Sequence, residues 1–302
     1  MPAEVLCVGE ILWDSLPPGL FLGGAPFNVA GHLHAQGVPV TMVSRVGSDR
    51  LGREARQRLT AAGIATDLVQ VDARLPTGFV EVTLDAAGVP TFDIVEPAAW
   101  DNIELTDEAL TEARAASAIV FGSLAQRSAT SRATIERLCE VDAVKVFDVN
   151  LRPPCYDAVL VRRSLERADV VKLNDHELAE MSAWFGLPAN LRDGIETLAD
   201  MFGCHTICVT RGSAGAVLLH EGRWCEHPGY RVEVRDTVGA GDAFLASFLK
   251  RLLAGASDDE LLQEANLLAA YVATQSGAIP AYDAEVIARI GHEPMFSARA
   301  NE

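Results

Sequence analysis

Five short runs set the fold class. Val5-Leu6-Cys7-Val8, Ala118-Ile119-Val120-Phe121, Val144-Lys145-Val146-Phe147, Val170-Val171-Lys172-Leu173 and Thr206-Ile207-Cys208-Val209 are dominated by apolar residues. They are too short for helices, and a half-exposed strand would alternate. Strands buried on both faces of a parallel sheet carry such runs. Segments with helical period lie between them, as at 130–140. Strand followed by helix, repeated, predicts an α/β chain with a mostly parallel sheet. In open sheets of that kind ligands sit beyond the carboxyl ends of the strands, so the residues after each run are where chemistry is expected. One segment breaks the rhythm. From Thr77 to Ile94, Phe79, Val80, Val82 and Leu84 alternate up to Asp85-Ala86-Ala87-Gly88, and Val89, Thr91, Phe92 and Ile94 follow. That pattern predicts a β-hairpin with a Gly-containing loop.

At 302 residues the chain suits one large α/β unit with a small appendage. A net charge of −17 argues against nucleic acid or an anionic membrane as partner. No apolar run approaches 18 residues. Met1-Pro2-Ala3-Glu4 runs into the first strand without the charged and apolar regions of a signal peptide, so a cytoplasmic location is expected. The six cysteines are scattered, with no disulfide framework. Cys204 and Cys208 would share one strand face with His205 on the other, which reads as core thiols rather than a metal set. The last residues, from Gly291, are expected to fray. No GxxxxGK[ST] or GxGxxG string occurs.

The central stretch is Asp236-Thr237-Val238-Gly239-Ala240-Gly241-Asp242-Ala243-Phe244. Val232 and Val234 alternate with charged residues, which predicts a strand before it. Ala243, Phe244, Ser247, Phe248, Arg251 and Leu252 recur at helical spacing after it. Gly239 and Gly241 let the backbone approach a ligand. The first helical turn has unpaired N–H groups and the positive end of the dipole, a cradle for an anion. Asp242 stands in its mouth. A carboxylate beside an anion is electrostatically wrong unless it takes a proton, as a general base does while the amides hold the developing charge. The competing account is a tight turn with Asp242 as a helix cap.

Near the amino terminus, Asp14 follows the first strand, where a carboxylate can accept from two sugar hydroxyls; a solvated turn Asp is the alternative. In Leu22-Gly23-Gly24-Ala25-Pro26-Phe27-Asn28, paired glycines precede a helix opened by Pro26, and Asn28 offers both donor and acceptor. Trp100 either shapes a pocket or packs in the core. Arg152, in Asp148-Val149-Asn150-Leu151-Arg152, offers a planar fork of donors to a phosphate, or a surface ion pair. Asn174 and Glu177 have the spacing of a capping box.

DTVGAGDAF resembles the carboxyl-terminal signature of the ribokinase-like (PfkB) carbohydrate kinases, and GGAPFNVAGHLHAQGVPVTMVSRVGSDRLGREA resembles their amino-terminal one. GE..WD before GGAPFN is most similar to the bacterial fructokinase branch. The resemblance implies a three-layer α/β/α sandwich with a mostly parallel central sheet, one kinase domain over 1–302. It also implies a β lid built from about 10–22 and 76–98, which often forms a homodimer interface. It implies ATP and Mg²⁺ as cofactors and a small sugar as substrate, most likely D-fructose phosphorylated at O6. Asp242 would be the base and Gly239, Ala240 and Gly241 the anion hole. Asp14, Gly24, Asn28, Gln126, Trp100 and Arg152 would face sugar or phosphate. Asn174, Glu177, Thr210, Gly212, Gly241 and Asn266 would face the nucleotide, with Glu177 reaching Mg²⁺ through water. Carbonyls of Asp236, Val238, Gln275 and Gly277 would hold a monovalent cation such as K⁺. Two alternatives stay open: a kinase for ribose or a sugar acid such as 2-keto-3-deoxygluconate, the latter needing an Arg such as Arg127 or Arg152 at the sugar, and an idle sugar sensor.

Overall fold

The computed structural model describes residues 4–16, 19–84, 90–282 and 286. Strands and helices are numbered in chain order. The large sheet contains β1 (Val5–Val8), β4 (Val40–Gly47), β5 (Val69–Asp72), β8 (Ala118–Gly122), β9 (Val144–Asp148), β10 (Val170–Asn174), β11 (Thr206–Thr210), β12 (Ala216–His220) and β13 (Arg223–His227). Their spatial order is β13-β12-β11-β10-β9-β8-β1-β4-β5. Neighbours are parallel from β5 through β11, and β12 and β13 close one edge antiparallel. The five runs named above are the inner strands, as their apolar character requires.

The pleat divides each run between two cores. Leu6 and Val8 join Val171, Leu173, Ile207 and Val209 on one face. Helices α3 (Asp107–Ala115), α4 (Ala129–Leu138), α5 (Ala158–Leu165), α6 (Asp175–Phe185) and α7 (Leu191–Phe202) cover it. Val5 and Cys7 join Val170 and Cys208 on the other face, under α1 (Ala25–Ala35), α2 (Arg50–Ala61), α8 (Ala240–Leu253) and α9 (Asp258–Ala273). The result is a three-layer α/β/α sandwich. Cys204 lies before β11 rather than on it, so it packs in the first core and Cys208 in the second; the two do not share a face. All six cysteines are unpaired thiols. Among the described residues no helix is long and apolar enough to cross a membrane.

A second sheet, in the order β3-β2-β6-β7, is made of β2 (Leu12–Leu16), β3 (Gly19–Gly23), β6 (Gly78–Leu84) and β7 (Pro90–Ile94). The hairpin expected at Thr77–Ile94 is β6–β7. Its loop at Asp85–Gly88 lies outside the described residues, as does the expected frayed end from Gly291. Trp13 of β2 is buried with its indole N–H donated to Leu51 O at 3.2 Å, under the Arg58 guanidinium.

The chain after β7 is fixed by a buried ion pair. Arg127 meets Asp101 through two parallel bonds of 2.7 and 2.8 Å, with 5% and 9% of the side chains exposed. The same guanidinium stacks 3.9 Å from the Trp100 ring centre and donates to Val95 O at 3.1 Å. Trp100 is fully buried, so of its two expected roles it takes the core one. Replacing Arg127 by Ala leaves Asp101 as an unpaired buried carboxylate. We expect a loss of about 3 kcal/mol or more in urea unfolding, with Lys a poor substitute because it lacks the fork; a loss under about 1 kcal/mol would show that Asp101 reaches water without its partner.

Candidate active site

Helix α8 begins as the sequence requires. Gly239 is its N-cap, in the left-handed region at φ 78°, and no side chain caps it. A β-carbon built on Gly239 would stand 2.4 Å from Ala278 O, so only glycine lets this turn lie against the 276–280 loop. Ala240 N–H bonds back to Thr237 O at 3.2 Å. Gly239, Gly241 and Asp242 make no such backbone bond among the described residues, and their N–H groups form the open helix end. This corrects the expected anion hole, in which Ala240 was one of three donors: the tightness of the turn engages it. The strand expected at Val232–Val234 is extended chain without sheet pairing, because Arg235 and Asp236 donate instead to Ala273 O at the end of α9.

Asp242 sits in the first turn of α8. Its Oδ2 accepts from Asn28 Nδ2 at 2.8 Å across 214 residues of sequence. Burial, with Asp148 adding repulsion, pushes the Asp242 carboxyl up to about 6, while Lys172, the Asn28 bond and Arg152 pull the other way. A base with that value is largely ionised at neutral pH yet still basic enough to take a proton. Asn28 Oδ1 is buried and has no hydrogen-bond partner among the described residues, so this amide holds the carboxylate with one end and offers an acceptor with the other.

His32, one turn along α1 from Asn28, ties the same helix to the facing loop. Its Nε2 donates to Ala278 O at 2.9 Å and its Nδ1 accepts from Tyr282 Oη at 2.6 Å. Burial lowers it to about 4, so the ring is neutral and these two bonds fix its tautomer.

A cleft of about 260 Å³ opens beside this turn. Asp14, Phe21 and Leu22 line it from the small sheet, and Arg235, Asp236, Val238, Ser276, Gly277 and Ala278 from the other side. The Asp14 carboxylate accepts no hydrogen bond among the described residues, and burial raises it to about 6 against the pull of Arg152. Arg152 is exposed, its Nη1 donating to Leu151 O at 3.0 Å, and its charge reaches Glu10, Asp14 and Asp242. Gly24 caps α1 at φ 111°, where a β-carbon would stand 2.4 Å from Glu10 O. Its lack of a side chain serves that close approach.

Two expected sugar contacts do not face the cleft. Gln126 is buried, its amide donating to Gly122 O at 2.8 Å and to Ser164 Oγ at 3.0 Å. Trp100 is covered by Arg127. That pairing also removes Arg127 from any role toward an anion.

Where the nucleotide is expected, Asn174 caps α6 and forms the anticipated capping box with Glu177. Glu177 is buried. Its Oε2 accepts from Asn174 N at 2.8 Å and its Oε1 from Leu151 N at 2.9 Å. With an N–H on each oxygen, it braces the turn that carries Arg152, and any contact with a cation would run through water. Thr210 ends β11 beside Asn174, and Gly212 follows at φ 54°. Asn266 is turned into its own helix, donating to Leu262 O at 2.7 Å, and so does not offer its amide to a base. Asp236 joins the two loops of the expected monovalent-cation site: Oδ1 accepts from Val238 N at 3.0 Å and Oδ2 from Gly277 N at 3.3 Å, with Gln275 two residues away. Among the described residues no group of three His, Cys, Asp or Glu side chains could hold a metal.

Two groups of the site had no role in the sequence reading. Glu10, at the end of β1, caps α1 by accepting from Ala25 N at 3.2 Å. Its Oε2 has no partner among the described residues, and burial raises it to about 7. Its position just past a strand end was the available signal. Lys172 lies within an apolar run and gave one signal only, a lysine where a buried strand wants an apolar residue. Its Nζ is 3.1 Å from Asp148 Oδ1, with 8% of the side chain exposed.

Comparison with known proteins bears on this geometry. The family model described as pfkB family carbohydrate kinase matches residues 18–285. A fructokinase of Klebsiella pneumoniae is 32% identical over 276 residues, covering 86% of this chain and 88% of that protein. An aminoimidazole riboside kinase of Salmonella typhimurium is 31% identical over 274 residues, covering 86% and 84%. The structure of a Xylella fastidiosa fructokinase with bound ATP matches with a TM-score of 0.85 at 23% identity, covering 96% of this chain and 98% of that one. The fold is ribokinase-like. The chain belongs to the pfkB family of carbohydrate kinases.

Proposed function

We propose that this kinase transfers the γ-phosphoryl of ATP to a primary hydroxyl of a small sugar, and that the sugar is D-fructose, phosphorylated at O6. The observation that carries the proposal is the Asp242 carboxylate, fixed by Asn28 at 2.8 Å in the mouth of an uncapped helix. The sugar lies in the cleft between the small sheet and the 276–278 loop, with Asp14 and Asn28 Oδ1 accepting from its hydroxyls. Asp242 takes the hydroxyl proton as the oxygen attacks the γ-phosphorus. The bond from that phosphorus to the β,γ-bridging oxygen breaks, and ADP leaves. The amides of Gly239 and Gly241 face the charge that spreads over the transferring group. Mg²⁺ bound to the ATP phosphates would neutralise part of that charge, with Glu177 reaching it through water. The carbonyls about Asp236 and Gly277 would take K⁺. The small sheet acts as the lid of one kinase unit, excluding water, and its outer face suits a second copy.

A second reading differs in the sugar. Arg152 is exposed near Asp14 and Glu10, and Arg235 lines the cleft. Either guanidinium suits a carboxylate or phosphate on the substrate, as a sugar acid or a phosphorylated pentose carries. Relatives also differ in substrate, between fructose and a riboside.

An ADP-release screen over hexoses, pentoses, nucleosides and sugar acids, with and without K⁺, tests the assignment. Fructose should give the highest kcat/KM; a sugar acid that outruns it and loses that advantage in Arg152→Met would transfer the assignment to the second reading. Asp242→Asn should lower kcat about 10²-fold or more with binding of ATP and sugar retained. The wild-type acid limb of kcat/KM should have an apparent pKa near 6, the value to which burial raises Asp242.

The same shift governs stability. Asp242 ionises near 3.9 in an unfolded chain and near 6 in the fold. The folded state therefore binds the proton more tightly, and this group's contribution to stability is full below about pH 4 and lost as pH rises through 6. Asp242→Asn should be more stable than wild type at pH 7.5, by about 1–2 kcal/mol after allowance for partial exposure. The two should converge near pH 4, as read from Tm at each pH. An Asn variant less stable at pH 7.5 would mean that the ionised carboxylate holds the turn together.

A further inference from the structure

Lys172 is the one buried cation of the site that the mechanism above does not use. It lies on β10 with Asp148 beside it in register on β9. Its strand neighbours Val171 and Leu173 point to the opposite core, so Lys172 faces the α8 side of the sheet. There its Nζ is 3.1 Å from Asp148 Oδ1, and a β-carbon built on Gly241 would stand 3.1 Å from the same nitrogen. The ammonium is thus directly under the amides that begin α8.

The charges around it are unequal. Burial works against the ammonium, yet Asp148, Glu177 and Asp242 together hold it above the usual lysine range. Three carboxylates converge on one buried cation. An ion pair kept for stability alone needs one partner, and buried pairs contribute little net stability. A phosphoryl group arriving here would meet repulsion from Asp148 and Asp242, and the partial charges of a helix end are small beside whole ones. The nearest whole positive charge is Lys172.

We propose that Lys172 is a positioning residue of phosphoryl transfer: pinned by Asp148 beneath Gly241, its ammonium attracts the migrating phosphoryl from below the anion hole and keeps Asp242 in its ionised form. The proposal rests on Asp242 acting as the base. The groups that set the charge of Asp242 are Asp148 from β9, Lys172 from β10, Arg152 from the following turn, Glu10 from the end of β1 and the Asn28 amide from α1. Of these, Lys172 and Arg152 are the cations, and Lys172 alone is buried.

The test compares Lys172→Met with Lys172→Met/Asp148→Asn in the full chain, against every sugar the wild type accepts. Lys172→Met should lower kcat about 10²-fold with sugar KM changed less than about threefold. The acid limb of its kcat/KM profile should move up by about one pH unit. This single variant also leaves Asp148 unpaired, so its Tm should fall. The double variant is neutral at the pair and should regain Tm. It should return the acid limb toward wild type, because a repulsive and an attractive charge leave together, while kcat stays low. A double variant with wild-type kcat overturns the proposal, since the lysine would then have served Asp148 alone. So does a folded Lys172→Met with wild-type kcat and an unmoved acid limb. A wild type whose Asp242→Asn variant turns over normally overturns the reading of the base instead, and the two failures are told apart by that control.

Discussion

The backbone of Gly239 lies against the 276–280 loop so closely that a β-carbon would stand 2.4 Å from Ala278 O. That one contact decides what the end of α8 can do. A side chain at 239 would move the helix start away from the loop, and a residue such as Ser or Asp at the cap would fill the free amides. The loop is in turn held by α1, through His32 Nε2 on Ala278 O, and α1 carries Asn28, which holds Asp242. Three chain segments, α1 lying more than 200 residues from the other two in sequence, are therefore closed into one small circuit: α8 start, 276–280 loop, α1. Asp242, the proposed base, is fixed by that circuit and not by its own helix alone. A buried neutral imidazole suits the task, because it donates and accepts at fixed positions without bringing charge into the site.

Much of the fold was written in patterns of short range. The inner strands announced themselves because a strand covered on both faces must be apolar at nearly every position, and the β6–β7 hairpin because strands exposed on one side alternate. Asp242 and Asn28 stood out as candidates for a related reason: each is a polar residue at a helix start, where open sheets expose function, whereas Asp14, read as following the first strand, lies within β2. The departures also have physical causes. Val232–Val234 alternates like a strand, but its neighbouring N–H groups are claimed by the end of α9. Gln126 and Arg127 are adjacent and both polar. Both turn inward, Arg127 to Asp101 and Gln126 to Ser164, residues 26 and 38 positions away, and no local pattern reports that. Ala240 fails as an open amide because a turn tight enough to present Gly239 brings Thr237 O within reach. Lys172 escaped notice because an apolar run averages over its members; its meaning comes from Asp148 on the next strand and Gly241 on a helix 69 residues later.

The small sheet shows how the chain keeps its cleft without hardening it. Its strands reach the main body through two aromatic anchors, Trp13 against α2 and Trp100 beneath Arg127. Both are buried, and both are covered by a guanidinium. Between the anchors, Asp14, Phe21 and Leu22 face the cleft and no described hydrogen bond ties Asp14 across it. Rigid ends with an unbonded middle leave the cleft walls without a cross-link at Asp14, while Asp242 and the helix end stay where the core holds them.

Charge explains why so acidic a protein can take a polyanion. A net charge of −17 is felt mainly at long range, where salt at physiological strength screens it over about 8 Å. Within that distance the arrangement is local and alternating: Lys172 under the helix end, Arg152 and Arg235 toward the cleft, Asp148, Asp242, Glu10 and Asp14 between them. Asp242, Glu10 and Asp14 are buried enough to be less acidic than usual, and each lies within the field of a cation that keeps it from becoming a permanent acid. Asp242 ends near 6 because burial and the repulsion of Asp148 outweigh Lys172, the Asn28 bond and Arg152 without overwhelming them. A group poised in that way changes its proton with a small change in its surroundings. In the proposed reaction the arrival of a phosphoryl group on one side and a hydroxyl on the other is such a change, and the balance of buried charges then sets how readily the proton moves.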